Sequence, residues 1–214
     1  MKFSYIALFA SILSFGSAAP SPKAEGVAAL VEPVSTYETD PTKRDPGTKV
    51  NVARATKTVT ASMLQSLMLN YHNQARAHHG VTALTWNTTL AAAALKSASK
   101  CVFAHTANNK YGENIAAGTY TNPAFYAALW YNEGSLYNFS KPGFSEATGH
   151  FTQVVWRGTK QLGCAWVKCP GDFPWYLFCE YSPAGNVLPA SNFATNVLRS
   201  KAAPPNPSQP SGNL

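Results

Sequence analysis

The chain has 214 residues, of which 45% are hydrophobic and 13% are charged, and its formal net charge is +7. This composition excludes a wholly disordered chain, and the length predicts about one domain. Much of the positive charge lies towards the two ends of the chain and not in one cluster. We therefore expect no nucleic-acid partner, because such a partner requires a clustered basic face.

The N-terminus predicts secretion. A basic start, Met1-Lys2, precedes an apolar run over 3–15 and small residues at 16–19. That run is too short to cross a bilayer of about 30 Å, and the arrangement is typical of a cleaved signal peptide more than of an N-terminal helix. We assign residues 1–19 to the signal peptide and expect an extracellular protein. In that compartment, four cysteines favour two disulfides over a metal cluster.

Two flanking segments are expected to be disordered. Residues 20–60 mix proline, serine, threonine and scattered charges without periodicity, which predicts a linker or pro-region. Within it, Lys43-Arg44 is either a processing site or a pair of solvated charges. Residues 197–214 form a proline-rich tail. The folded domain is thus expected over residues 61–196.

Helices are predicted first along this domain. Residues 62–79 repeat apolar side chains at three- and four-residue spacing. Asn87 can cap a second helix over 88–99, and Asn122-Pro123 can begin a third. Strand candidates follow, over 151–156, 162–167 and 175–181. Helices followed by strands indicate an α+β domain.

Four short segments stand out as a set: His72-Asn73-Gln74-Ala75-Arg76, Gly112-Glu113-Asn114-Ile115, the run 149–156 that begins Gly-His-Phe, and the run 177–187 around Phe178-Cys179-Glu180-Tyr181. This set resembles the signatures of the CAP superfamily, which comprises cysteine-rich secretory, antigen 5 and pathogenesis-related 1 proteins. The resemblance covers about residues 64–186 and is greatest to fungal secreted members that bind sterols. It implies a three-layer α-β-α sandwich around a central, mainly antiparallel sheet. One position departs from the family pattern, because Glu180 follows Cys179 where a small polar residue is usual.

The resemblance implies a central cleft that holds two histidines and two glutamates, here His105, Glu113, Glu133 and His150. Two imidazoles and two carboxylates can bind a divalent metal such as zinc. Without a metal, each glutamate can instead hold one histidine in a fixed orientation. We expect no required cofactor and no catalytic residue. The alternatives are a buried polar network and a metal-dependent hydrolase that uses the four residues.

A second region implied by the resemblance is a sterol-binding loop, whose residues are Tyr137, Phe139, Pro142, Gly143 and Phe144. Burial of a sterol requires aromatic and aliphatic area, at about 25 cal/mol per Å². The alternative is an ordinary surface loop with inward-packed aromatics. Relatives also bind fatty acids in an apolar groove between two helices. The first and third helices here carry apolar side chains that could line such a groove. The same apolar stripe is core packing in most proteins.

Further predictions concern covalent features and the first helix. Asn87 and Asn138 begin glycosylation sequons. By resemblance we expect the disulfides Cys101–Cys164 and Cys169–Cys179, although four cysteines allow three connectivities. His72 and Arg76 lie one helical turn apart and suit a packing and hydrogen-bond role.

The function expected from the sequence is that of a secreted, monomeric protein that binds sterols first and fatty acids second. Such a protein could export or sequester lipid, with a host or defence role, and its basic charge favours contact with a membrane or cell wall. The alternatives are the hydrolase described above and a signalling or interaction protein.

Overall fold

The computed structural model describes residues 58–200, 210 and 212. The predicted signal peptide, the pro-region as far as residue 57 with its dibasic pair, and nearly all of the tail beyond residue 200 lie outside the described residues. Within the described part, no helix combines the length and the apolar character needed to cross a bilayer.

The described residues form five helices and four strands. The helices are α1 (Ala61–His78), α2 (Thr88–Ala98), α3 (Pro123–Asn132), α4 (Gly149–Val154) and α5 (Ser191–Asn196). Strand β1 (Thr85–Trp86) precedes α2, β2 (Gly112–Gly118) precedes α3, and β3 (Gln161–Lys168) and β4 (Trp175–Ser182) lie between α4 and α5. The starts of α1, α2 and α3 were predicted to within one residue, and in the structure each of these helices follows a side chain that caps it. Thr60 accepts from the Met63 amide, and Asn87 and Asn122 cap α2 and α3. Short 3-10 turns cover Glu133–Leu136 and Glu146–Thr148.

The four strands form one sheet in the order β1-β3-β4-β2. The β3–β4 and β4–β2 pairs are antiparallel, and only the two-residue strand β1 pairs in parallel. The sequence predicted β3 and β4 but missed β1 and β2. Strand β2 escaped detection because residues 114–118 are buried on both faces, so the alternation of polar and apolar residues that marks a half-exposed strand is absent.

Alternate residues of the sheet face two separate cores. Ile115, Ala165 and Phe178 pack with Ala94 and Ala98 of α2. The intervening positions face a larger cluster built from α1, α3 and α4, as shown by Ala116, Leu162, Cys164, Leu177, Cys179 and Tyr181. Helices on both faces of one sheet make three layers, so the predicted α-β-α sandwich is confirmed.

The strand predicted over 151–156 is wrong, because helix α4 occupies this region. The carboxylate of Glu133 accepts hydrogen bonds from the backbone amides of His150 and Phe151, at 3.1 and 3.2 Å. These two amides open the helix and have no partner within it. A residue distant in sequence therefore caps α4 and overrides the strand preference of its β-branched and aromatic residues.

The predicted disulfide pairing is also wrong. Cys101 bonds to Cys169, and Cys164 bonds to Cys179. Cys164 and Cys179 lie directly opposite each other in the β3–β4 register, with their Cα atoms 4.1 Å apart. A disulfide can therefore cross the two strands at this point, and the other bridge ties the segment after α2 to the residue after β3.

The C-terminal boundary lies beyond the predicted residue 196. Val197 is buried, and its amide donates to the Phe193 carbonyl at 2.8 Å. The Leu198 carbonyl accepts from Nδ1 of His79, and Arg199 lies over the ring of Phe139 with Cζ 5.0 Å from its centroid. Residues 197–199 thus belong to the folded domain.

Candidate functional site

Two histidine–glutamate pairs form the polar part of the candidate site. Nδ1 of His105 lies 2.8 Å from Glu113, and Nδ1 of His150 lies 2.6 Å from Glu133. Within residues 58–200, 210 and 212, no three or more His, Cys, Asp or Glu side chains come together in a group that could hold a metal ion. The described structure therefore arranges the four predicted residues as two pairs.

The alternation of β2 explains why the pairs are separate. Ile115 faces α2, whereas Ala116 faces the larger core. Successive side chains of a strand point to opposite faces, so Glu113 leaves β2 on the α2 side and Asn114 leaves it on the other side. Asn114 donates to the His150 carbonyl at 3.1 Å. The Gly-Glu-Asn motif thus sends one side chain towards each pair.

The first pair combines a buried carboxylate with an exposed imidazole. The Glu113 side chain is 4% exposed and that of His105 is 52% exposed. Thr106 donates to Glu113 through both its amide and its hydroxyl, at 2.9 and 2.6 Å. Burial pushes the pKa of Glu113 upwards, but the hydrogen bonds from His105 and Thr106 outweigh it and hold this pKa below its usual range. The ionised carboxylate accepts from Nδ1–H of His105, so Nε2 is the ring nitrogen that can face a ligand.

Glu180, the departure from the family pattern, belongs to this pair. It lies directly opposite Glu113 in the β2–β4 register and is 1% exposed. Nδ2 of Asn109 donates to it at 2.8 Å. Burial raises the pKa of Glu180 to about 8, and the facing charge of Glu113 adds to this rise. Glu180 is therefore mainly protonated at neutral pH and donates a hydrogen bond to Glu113.

The second pair is more enclosed and joins two ends of a loop. The side chains of His150 and Glu133 are 21% and 6% exposed, and the His150 ring stacks on Trp130 at 5.9 Å. Glu133 precedes residues 137–144 and His150 follows them, so the pair closes this segment at its base. Because Glu133 also caps α4, one carboxylate fixes both the loop and the helix after it.

The aromatic loop, residues 137–144, mostly packs inwards. Tyr137 is buried, and its ring meets that of Phe139 edge-on at 4.9 Å. Both rings also contact Phe151. Phe144 differs, because 53% of its surface is exposed. The inward-packed alternative therefore holds for Tyr137 and Phe139, whereas Phe144 remains available to a ligand.

The remainder of the loop is a turn with an exposed start. Asn138 and Ser140 are exposed, and Oδ1 of Asn138 accepts from the Ser140 amide at 2.9 Å. Pro142 and Gly143 are half-buried, and a Cβ at Gly143 would lie 3.9 Å from that of Ala190.

The two predicted glycosylation sequons begin at Asn138, in this loop, and at Asn87, which donates from Nδ2 to Gln161. Glycosylation at both sites stays a prediction.

A buried hydrogen-bond chain behind His150 was only partly anticipated. Nδ1 of His72 donates to the Met68 carbonyl at 2.7 Å. Burial lowers the pKa of His72 to about 4, so the neutral ring accepts at Nε2 from the Tyr181 hydroxyl, 2.8 Å away. That hydroxyl accepts from Asn114 in turn. The sequence placed His72 in a hydrogen-bond motif, but its spacing gave no signal that Tyr181 was the partner.

Arg76 has the packing role expected of it. It is fully buried and donates to the backbone carbonyls of four residues: Thr82, Val154, Trp156 and Thr159. Charge-assisted hydrogen bonds to several segments at once hold α1 against the chain between α4 and β3.

An apolar cavity of about 490 Å³ lies at the edge of the sheet near the start of α1. Its walls come from α1 and the residues just before it, from α2, and from strands β1 and β3. They include Val59, Leu64, Trp86, Leu95, Cys164 and Trp166. The apolar side chains of the first and third helices, which were expected to line a fatty-acid groove, instead pack together in the core. Met68, Tyr71, Trp130 and Tyr131 meet there.

Comparison with known proteins agrees with this architecture. The model of the cysteine-rich secretory protein family, CAP, matches residues 69–181. Protein PRY2 of Saccharomyces cerevisiae is 46% identical over 136 residues, which cover 61% of this chain and 40% of PRY2. Pathogenesis-related protein 1C of Nicotiana tabacum is 37% identical over 133 residues, which cover 58% of this chain and 78% of that protein.

Other matches extend the comparison to secreted and solved proteins. Secreted protein RBT4 of Candida albicans is 40% identical over 146 residues, covering 62% of this chain and 40% of RBT4. The chain thus spans less than half the length of PRY2 and of RBT4. The structure of NaASP2 with Zn2+ superposes with a TM-score of 0.52 at 24% identity, covering 64% of this chain and 85% of that one. At this identity the likeness to a solved structure shows the fold alone. The family model, however, matches more than half of the sequence, so the chain belongs to the cysteine-rich secretory protein family.

Proposed function

We propose that the protein binds sterols at the aromatic loop, residues 137–144, and carries or sequesters them outside the cell. The observation that carries this proposal is the exposed ring of Phe144 on a loop that is otherwise lined with inward-packed aromatic rings. A sterol offers a rigid apolar body that such rings can cover. The Glu133–His150 pair fixes the two ends of the loop.

Secretion is part of the proposal. Two disulfides within one small domain are typical of an oxidising compartment, and one relative is named as a secreted protein. Two of the relatives reported above are named as a secreted protein and as a pathogenesis-related protein, and not as enzymes, which supports a binding role over a catalytic one.

A second ligand class, linear apolar chains, is favoured by the cavity beside α1 and α2. Its volume of about 490 Å³ lies within the range of small-molecule pockets. Its walls contain none of residues 137–144. A fatty acid bound there would occupy a site separate from the sterol and would not displace it.

Equilibrium binding of labelled cholesterol to the purified protein tests the proposal, with unlabelled palmitate as competitor. Phe144→Ser should weaken cholesterol binding about tenfold, because the ring supplies apolar contact area. Val102→Ser is the matched control, since Val102 is 55% exposed and lies outside the loop. Equal cholesterol affinity in the two variants would contradict the loop assignment, and no saturable cholesterol binding by the folded protein would reject the function.

The same cholesterol-binding experiment can distinguish the sterol proposal from the hydrolase alternative. Glu113→Gln removes the carboxylate of the exposed pair, which a hydrolase would need, and leaves the aromatic loop unchanged. Cholesterol binding should therefore survive this substitution. A His150 variant cannot serve here, because His150 also closes the loop.

A further inference from the structure

Exposed apolar side chains gather on one side of the aromatic loop. Among the described residues, six large hydrophobic side chains are exposed: Leu95, Val102, Leu136, Phe144, Val187 and Leu188. Val187 is 48% exposed and Leu188 is 69% exposed. They lie in the connection between β4 and α5, which the sterol-binding proposal does not use.

This connection packs against the aromatic loop. The ring of Phe144 covers Gly149, where an added Cβ would come within 3.1 Å of the ring. The Gly149 carbonyl accepts from Nδ2 of Asn186 at 2.8 Å, immediately before Val187. Phe144 also meets Phe193 of α5, with ring centroids 6.4 Å apart. Phe144, Val187 and Leu188 therefore lie on neighbouring segments, and we call these three residues the apolar patch.

Two cations border the aromatic loop, which contributes Phe144 to the apolar patch. Lys141 and Arg199 are both exposed, and Arg199 donates to the Ser140 hydroxyl at 3.2 Å while its guanidinium covers Phe139. Both cations thus border the aromatic loop. Glu146 is the exposed acidic residue nearest in sequence to Phe144, so the two cations outnumber the acidic side chains beside the loop.

We propose that the apolar patch docks on a lipid bilayer with anionic headgroups, which brings the aromatic loop to the membrane surface. Apolar side chains beside cations are the chemistry of an interfacial contact, in which the former enter the acyl boundary and the latter meet the headgroups. A second copy of the chain would place like charges together, which disfavours a dimer through this surface. The inference rests on the proposed function, since it gives the sterol a route from the membrane to the loop.

Co-sedimentation with sterol-free vesicles tests the docking independently of sterol binding. The probes are vesicles of phosphatidylcholine alone and of phosphatidylcholine mixed with phosphatidylserine. Leu188→Ser should reduce the partition coefficient about tenfold through lost apolar contact. Leu95→Ser is the matched control, because Leu95 is 50% exposed and lies on α2. Lys141→Gln should weaken binding to the phosphatidylserine vesicles only, and this difference should disappear at high salt.

Each result has one meaning. If Leu188→Ser loses vesicle binding and Leu95→Ser retains it, the docking is supported. Equal vesicle binding by these two variants overturns it. Absence of wild-type sedimentation with both vesicles also overturns it. Concentration-dependent dimerisation that Leu188→Ser abolishes would assign the patch to a second copy. Vesicle binding without cholesterol binding would reject the sterol proposal and leave the docking surface intact.

Discussion

The two histidine–glutamate pairs use the same residue types for different purposes. In the first pair, Glu113 is buried but His105 is 52% exposed, so the imidazole presents one nitrogen to solvent. In the second pair, His150 stacks on Trp130 and Glu133 caps α4. The first pair is therefore suited to meet a ligand, and the second is suited to hold a loop and a helix in place.

This difference arises from position in the chain. Glu113 lies on an edge strand, and its partner His105 comes from the nearby segment after α2. Glu133 follows α3, and its partner begins α4 on the far side of the aromatic loop. A pair that spans a loop determines the geometry of that loop, whereas a pair at a sheet edge leaves one member free to turn outwards. The resemblance to relatives places the four residues in one site, but the fold arranges them as two pairs with different roles.

The largest expected effect comes from Glu133→Ala. This change removes the partner of His150 and both caps of α4, so we expect the free energy of unfolding to fall by about 3 kcal/mol. Cholesterol binding should weaken as well, because the aromatic loop loses its closed base. Urea denaturation and equilibrium binding measure the two effects. A stable variant with unchanged cholesterol affinity would show that the second pair does not hold the loop.

The pH dependence of stability distinguishes the first pair from the second. Burial raises the pKa of Glu180 from 4.5 to about 8. The protonated form therefore contributes stability that is fully present below about pH 4.5 and is lost as the pH rises to about 8. Glu180→Gln keeps a donor to Glu113 and should remove this part of the pH dependence. Urea denaturation between pH 5 and pH 9 measures the difference in stability between the two proteins. This difference should be smallest at low pH, where Glu180 is protonated and resembles the amide of the variant, and should grow as the pH rises to about 8.

His72 acts in the opposite direction and must be separated from Glu180. Its pKa falls to about 4 in the folded protein, so its contribution is lost as the pH falls from about 6.5 towards 4. Both proteins retain His72, and the difference between wild type and Glu180→Gln cancels its effect. An unchanged slope in Glu180→Gln would mean that Glu180 is ionised beside Glu113 at neutral pH.

Much of the fold could be predicted from local signals, and two of the failures, helix α4 and the disulfide pairing, share one cause. Asn87 and Asn122 cap their helices within two or three residues, so the sequence alone locates α2 and α3. Helix α4 depends on Glu133, a cap 17 residues away. The Cys164–Cys179 bridge depends on strand register. Contacts that form only after the chain has folded leave no periodic pattern in it.

The site was predictable to a similar extent. The resemblance identified all four members of the pairs, and the departure at Glu180 marked the position where a buried carboxyl group now faces Glu113. It could not show that Glu113 and Asn114 point to opposite faces of β2, because β2 itself was missed. The division into two pairs therefore required the structure.

Glu113→Gln should have a smaller effect than Glu133→Ala. The amide oxygen can still accept from Thr106 and His105, but the bonds lose their charge, and we expect a loss of about 1–2 kcal/mol. Urea denaturation at neutral pH measures it. A loss as large as that of Glu133→Ala would mean that the first pair is equally structural.

The smallest effect is expected from His105→Ala, and it tests whether the first pair is free to meet a ligand. The side chain is half exposed, and Glu113 keeps both bonds from Thr106 and the one from Glu180. We therefore expect a loss of less than about 1 kcal/mol in the free energy of unfolding. His150→Ala is the matched comparison and should cost more, because it leaves Glu133 without its imidazole and exposes Trp130. Equal losses in the two variants would remove the distinction between the pairs, whereas a small loss for His105 alone would mean that its imidazole is not required for folding and can serve a ligand.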